Sequence, residues 1–351
     1  MPLSQGAAAG GNRRSPPMRA ATTLAAAPPG AGQPGRARPP PPEEDPDPAT
    51  PSTPAVDVLA RALGYPYPRP PSSFVFHAGT AHAFEDERWP SAGALASPTC
   101  VAALRLACPA AAAATAAAVA AGLTPVLAIG SNAGPAQLAR KYGRASFPDT
   151  SIPATRGLLR GFDVVFAPLA ASYGSITATL HPSPSPDTAV EVYVTWLGGA
   201  ELERMHETEA AYDLMELRLE GRALALGTSV GAAAAGAPPA AWHPAGAPVL
   251  CYVHQHGSLL LDGSPAALAE IPALGRALPA LDQLGAQAAV ARLVGCPPGT
   301  APEAFILENV AGDPAVRAGR VAALAAHAAP FSHPAARRLA SLGSVLGRSV
   351  D

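Results

Sequence analysis

The chain has 351 residues and a formal net charge of −2 with no basic run, which excludes the electrostatic footprint of a nucleic-acid binder. Lysine occurs once, at Lys141, among 24 basic residues, and Ala, Gly and Pro are abundant; this is the bias of a GC-rich genome, so alanine runs and arginine counts carry little physical weight. The length suits one large domain or two small ones, and the four cysteines (Cys100, Cys108, Cys251, Cys296) form no CxxC and accompany no secretory signal, which fits reduced thiols in a cytoplasmic chain.

Residues 1–55 are rich in Pro, Gly, Ala and Ser and predict disorder. The first 42 residues hold five arginines and no acid, which fits a chloroplast or mitochondrial transit peptide as well as a tail shaped by biased coding. An acidic patch, Glu43–Asp47, follows. Residues 56–122 read as an N-terminal extension. It holds a short helix over Val56–Leu63, a proline-restricted segment Tyr65–Phe76 ending in a strand-like Phe-Val-Phe, and alanine-rich helices from Thr99 to Leu123 broken at Pro109. Leu106–Leu123 is apolar but mostly alanine, contains Pro109 and follows Arg105, so no membrane span is expected.

From residue 123 to 265 strands dominate. Pro125–Ile129 is a compact apolar strand, followed by the loop Gly130-Ser131-Asn132 and a helix with Pro135 in its first turn. Leu159–Phe166, Gly174–Pro182 and Ala189–Leu197 read as further strands. A helix from Glu201 to Tyr212 comes next, then a hairpin turning at Glu220-Gly221, then a strand and turn within Val249–Gly263. This pattern predicts an α+β domain, a small mixed or antiparallel β-barrel with flanking helices. Residues 266–351 read as a helical C-terminal region and tail, with helical patches over Leu268–Val294.

Glu209 is the residue that most needs a reason. At about 100° per residue, Leu202, Met205, Glu209 and Tyr212 share one face of the expected helix, while Glu203 and Glu207 face water. A carboxylate on the apolar face must be paired, hydrogen-bonded or kept protonated. Such a group fits catalysis about as well as a structural ion pair. The second constellation is Gly130-Ser131-Asn132 at a strand end, where backbone N–H groups can converge on an anion such as a substrate carboxylate. It fits an ordinary strand-to-helix turn as well.

In order, the strand ending in GSN, Leu159–Phe166 (LRGFDVVF), Gly174–Pro184 (GSITATLHPSP), VEVYVTWL and the pattern L-x-x-M-H-x-T-E-x-x-Y ending at Tyr212 resemble the gamma-glutamyl cyclotransferase-like superfamily. The resemblance spans roughly Val126 to Leu226. Members usually read YGSNL at the first strand and L-x-x-L-D-x-x-E-G-x-x-Y at the helix. Here Ile129 and Ala133 flank GSN, His206 takes the place of the aspartate, and Ala210 follows Glu209. The resemblance implies a small mixed β-barrel with flanking helices. It implies cleavage of a gamma-glutamyl amide to 5-oxoproline and a free amine, with Glu209 as acid/base and Gly130, Ser131, Asn132, Ala133 and Tyr212 at the substrate. No cofactor or metal is implied, and the partner is a small gamma-glutamyl molecule. The substrate's own amine is the nucleophile, so one carboxylate can move the protons. A non-catalytic binding or interaction module on the same fold is the alternative, motivated by the altered flanking residues.

Two other motifs compete. Gly227-Thr-Ser229-Val-Gly231 matches the G-x-S-x-G of a serine hydrolase, but the alanines after it run into Gly236 and Pro238, too short for the helix an elbow needs. His254 and His256, two apart, would share a strand face and could begin a metal site, although spacing suggests no third ligand and a polar strand face is the simpler account.

Overall fold

The computed structural model describes residues 55–84 and 108–342. The Arg-bearing start, the acidic patch and most of the stretch from Thr99 to Cys108 lie outside the described residues. The first elements are α1 (Ala55–Leu63), β1 (Phe74–His77), β2 (Thr80–Ala83), α2 (Pro109–Ala121), β3 (Thr124–Ala128) and α3 (Pro135–Lys141). Next come β4 (Ser151–Arg160), β5 (Phe162–Ala170), β6 (Ile176–Pro182), β7 (Ala189–Leu197), α4 (Gly199–Glu207), β8 (Tyr212–Arg218), β9 (Leu224–Leu226), α5 (Val230–Ala234), β10 (Ala241–Trp242) and β11 (Pro248–His254). The remainder is β12 (Ser258–Leu261), four two-residue strands β13 (Ser264–Pro265), β14 (Ala267–Leu268), β15 (Ala273–Leu274) and β16 (Ala280–Leu281), then α6 (Gln283–Leu293), α7 (Pro302–Ala311), α8 (Pro314–Ala325), β17 (Ala328–Ala329) and β18 (Ala336–Ser341). Between Leu268 and Val294 the expected helical patches are short strands until α6 begins.

The architecture is mixed α+β, but no sheet closes into the expected barrel. The main sheet runs β10-β9-β4-β7-β3-β11-β8-β18 and its two ends do not meet. Closure requires a continuous ladder around the axis. Here Gly161, at φ 76°, turns β4 into β5 in a single residue, and β5 leaves for a separate sheet ordered β16-β14-β5-β6. β6 approaches β11 through one side chain, Thr179 Oγ1 accepting from the His254 N–H at 3.0 Å, and not through a strand ladder. The expected hairpin at Glu220-Gly221 also parts. β8 pairs with β11 and β18, whereas β9 pairs with β4 and β10.

The long strands β4 and β7 each serve two short neighbours along one edge. β1 pairs with Ser151–Ala154 and β9 with Gly157–Leu159, both on β4. On β7, β3 takes Tyr193–Leu197 and β15 takes Ala189 and Val190. Apolar side chains bury both faces of the main sheet. Val190, Val192 and Val194 of β7 join Val164, Phe166 and Leu180 of the second sheet in the larger core. Tyr193 and Leu197, one residue out of phase, join Val126, Leu138 and Met205 beneath α3 and α4. This double burial explains why AVEVYVTWL has no solvent face: all nine residues are buried.

Candidate active site

The topology brings three chain segments to one end of the main sheet. β3 and β11 are parallel, with Leu250 opposite Val126 and Cys251 opposite Leu127. Their C-terminal ends, which lead to Gly130 and to His254, therefore lie together. β8 runs antiparallel to β11 with Tyr212 opposite His254, so the start of β8 is at the same end. The turn between α4 and β8 carries Glu209 there.

Glu209 is buried, but not for the reason its helical phase suggests. α4 stops at Glu207, and Glu209 sits in a turn whose N–H bonds the His206 carbonyl at 3.2 Å and whose carbonyl accepts from the Tyr212 N–H at 2.9 Å. Met205 does face the core from α4, whereas Tyr212 opens a strand. The expected single helix from Glu201 to Tyr212 is thus a nine-residue helix, a turn and a strand.

The carboxylate has two partners on one oxygen. Lys141 Nζ donates to Oε1 at 2.6 Å, and Asn132 Nδ2 donates to the same atom at 2.9 Å. The side chains of Lys141 and Glu209 are only 6% and 11% exposed. Lys141 Nζ also lies 3.2 Å from Met205 Sδ. A carboxylate only accepts, so the Asn132 amide must present its nitrogen, which turns Oδ1 away. That Oδ1 is buried without a hydrogen-bond partner. Lys141 was not singled out as a site residue from the sequence. Its signal was present: it is the chain's single lysine, kept where every other basic residue is arginine.

The GSN segment forms one turn of 3-10 helix, Ser131–Ala133, leading into the seven-residue α3 with Pro135 at its start. The Ala133 N–H donates to the Gly130 carbonyl at 3.3 Å, so that amide is engaged within the loop, and the Ala133 side chain is fully buried. At Gly130, a Cβ would collide with the Tyr65 hydroxyl. Ile129 leads into Gly130, and an aromatic wall beside this loop is supplied from the N-terminal extended segment by Tyr65. Tyr65 Oη accepts from the Ala178 N–H at 3.0 Å, and Tyr212 Oη donates toward Thr177 Oγ1 at 3.0 Å and the Ala178 carbonyl at 3.1 Å. Two tyrosines therefore hold Ala178 of β6 from its two backbone groups. Tyr65, Tyr142, Tyr173, Tyr212 and Tyr252 are all pushed above the usual phenol range by burial, with the Glu209 charge adding to each. His206 sits at the edge of this group, its Nδ1 2.8 Å from Tyr252 Oη, and burial lowers its pKa.

His254 and His256 do not share a strand face, because β11 ends at His254 and His256 lies in the turn. The His256 N–H donates to His254 Nδ1 at 3.3 Å, and among the described residues no group of three His, Cys, Asp or Glu side chains is placed to hold a metal. Burial first, and His256 second, push the pKa of His254 down to about 3 from an ordinary 6.5. In the unfolded chain this imidazole takes up a proton near its ordinary pKa, whereas the folded protein resists until about 3. Stability tied to His254 is therefore full above about pH 6.5 and is lost as the pH falls toward 3. Between pH 7 and pH 5 wild type is expected to lose about 2 kcal/mol more than His254→Asn, read from urea midpoints at the two pH values. Parallel losses in the two proteins would refute the assignment.

Ser229 caps α5, its Oγ accepting from the Ala232 N–H at 3.1 Å. The helix that follows it has five residues and ends before Gly236, too short for a nucleophile elbow, as the sequence led one to expect. A serine that does meet a histidine is Ser258, with Oγ 2.9 Å from His181 Nδ1, and it is fully buried. A nucleophile so enclosed cannot be reached by substrate. Two clefts lie away from Glu209. One of about 610 Å³ is bordered by Phe162, Arg218 and His333, and one of about 360 Å³ by Arg69, Arg156 and Glu191. Cys108, Cys251 and Cys296 are free thiols, and no helix among the described residues is long and apolar enough to cross a membrane.

No protein-family model, no curated protein and no solved structure matches the chain.

Proposed function

We propose that the chain catalyses cyclotransferase-type cleavage of a gamma-glutamyl amide to 5-oxoproline and a free amine, with Glu209 as the acid/base. One observation carries this: Asn132 Nδ2 meets Glu209 Oε1 at 2.9 Å across 77 residues of sequence, so the two motifs picked out independently converge on one group. In the reaction the substrate's α-amine attacks its γ-carbonyl, the ring C–N bond forms and the γ C–N bond breaks. The α-nitrogen loses two protons, and the leaving nitrogen gains two as it departs as an ammonium. A single carboxylate can relay both, and the intramolecular attack needs no nucleophilic side chain. Tyr65 and Tyr212 shape the wall beside it, and their hydroxyls are committed to Ala178.

Glu209→Gln removes the proton relay and keeps the shape. It is expected to reduce 5-oxoproline release about 100-fold or more over a panel of γ-glutamyl dipeptides, glutathione and γ-glutamylamines. Equal release from the two proteins would sink the mechanism. The Lys141 ion pair supports a second reading, a module that binds a small molecule without turnover, because a neutralised carboxylate is also a stable structural element. Binding of the same compounds with no product from any of them would favour that module. A hydrolase using Ser229 has little support, since its hydroxyl caps a helix.

A further inference from the structure

We propose that Lys141 is a positioning residue that, with Asn132, pins Oε1 of Glu209 and so dedicates the other oxygen, Oε2, to the ligand's amine. This rests on the cyclotransfer proposed above. Both donors converge on Oε1, at 2.6 and 2.9 Å, and the side chain keeps 11% of its surface exposed. Among the described residues none donates a hydrogen bond to Oε2, and Oε2 is not one of the enclosed polar atoms left without a partner, which leaves it as the oxygen open to a ligand. Two fixed hydrogen bonds to one oxygen remove the carboxylate's freedom to rotate and exchange its oxygens.

The remaining features fit the same assignment. The Asn132 Oδ1, buried without a partner, is an acceptor whose need would be met by an N–H donor, the same chemistry an α-ammonium brings to Oε2. Lys141 is held by its own surroundings: Nζ contacts Met205 Sδ, and its backbone carbonyl accepts from Arg204 Nε at 3.1 Å. The ammonium thus bridges the end of α3 to α4, the helix that leads into the Glu209 turn. In the reaction, Oε2 takes two protons from the attacking α-nitrogen and returns them to the leaving nitrogen, while Lys141 holds Oε1.

The single lysine makes the test direct. Labelling the protein with lysine carrying nitrogen-15 at the ζ position yields one ammonium signal that needs no assignment. In the wild type this signal is expected to differ from that of a free lysine, and Glu209→Gln is expected to shift it. In kinetics, Lys141→Met is expected to lower kcat about 100-fold while KM stays within about threefold, because positioning is lost and uniform binding is not. If Lys141→Met does not fold, the signal in wild type and Glu209→Gln decides alone. A lysine signal indifferent to Glu209→Gln overturns the pairing whatever the activity. A folded Lys141→Met with unchanged kcat overturns the positioning role. Wild type that releases no 5-oxoproline, with a lysine signal that does respond to Glu209→Gln, overturns cyclotransfer and the catalytic part of Lys141 with it, and leaves the pair itself standing.

Discussion

Lys141→Met is expected to lower the unfolding free energy by about 3–5 kcal/mol, the range for removing one partner of a buried ion pair. The lost cation would leave the Glu209 carboxylate with the Asn132 amide as its one remaining donor among the described residues, in surroundings where its side chain is 11% exposed. The Arg204–Glu207 pair on α4 offers the contrast, with side chains 27% and 45% exposed. Breaking that one is expected to cost under about 1 kcal/mol. The decisive protein is the double variant Lys141→Met with Glu209→Gln, in which no uncompensated charge remains. It is expected to regain more than half of the stability lost by Lys141→Met. Urea unfolding of the four proteins in the cycle measures this, and strictly additive losses would show that the two side chains do not act on each other.

Gly157→Val is expected to be more damaging than any surface change, at about 3 kcal/mol or more, through failure to accommodate a Cβ. A Cβ at Gly157 would lie far inside contact distance of the Ala225 carbonyl oxygen. That oxygen belongs to the backbone of β9, and it cannot retreat without opening the ladder that pairs Gly157 with Leu226 and Leu158 with Ala225. The other edge of β4 is tied to β7 over seven residue pairs, from Ala154 to Arg160, so β4 cannot retreat either. Gly157→Ala should show the same sign at smaller size. Gly143→Ala serves as the control, because nothing lies within 4 Å of its added Cβ. Thermal melts of the variants check this, and a Gly157→Val protein that melts with wild type would refute the close approach.

Much of the site was legible from local pattern. Pro135 begins α3 as expected, the nine-residue segment AVEVYVTWL is β7, and Glu209 is a largely buried carboxylate. Glu209 is buried for a different reason from its helical phase. Helical phase assumed that α4 continues to Tyr212, whereas the chain turns after Glu207 and burial comes from the turn. Lys141 was hidden by composition. Discounting basic residues as coding bias is sound for arginines, but it obscures a lysine that persists against that bias. Tyr65 was hidden by distance: a proline-rich segment reads as an extended connector, and nothing local says that its ring reaches Gly130 and Ala178. The barrel and the Glu220-Gly221 hairpin failed for the same reason. Both depend on which strands pair, and β8 takes β18 from the far end of the chain where β9 was expected.

The aromatic wall, the loop, the carboxylate and its cation come from positions spread between Tyr65 and Tyr252, and β8, which leads away from Glu209, is covered on its outer edge by β18 at Ala336–Ser341. No contiguous fragment shorter than most of the described chain contains the whole constellation. A compound bound there is therefore linked to the folding of the entire sheet, and at a free concentration 100 times its Kd it would raise the stability of the whole by about 2.7 kcal/mol. The melting temperature of the intact protein thus becomes a screen for the ligand, one that requires no turnover and no prior guess about the leaving amine.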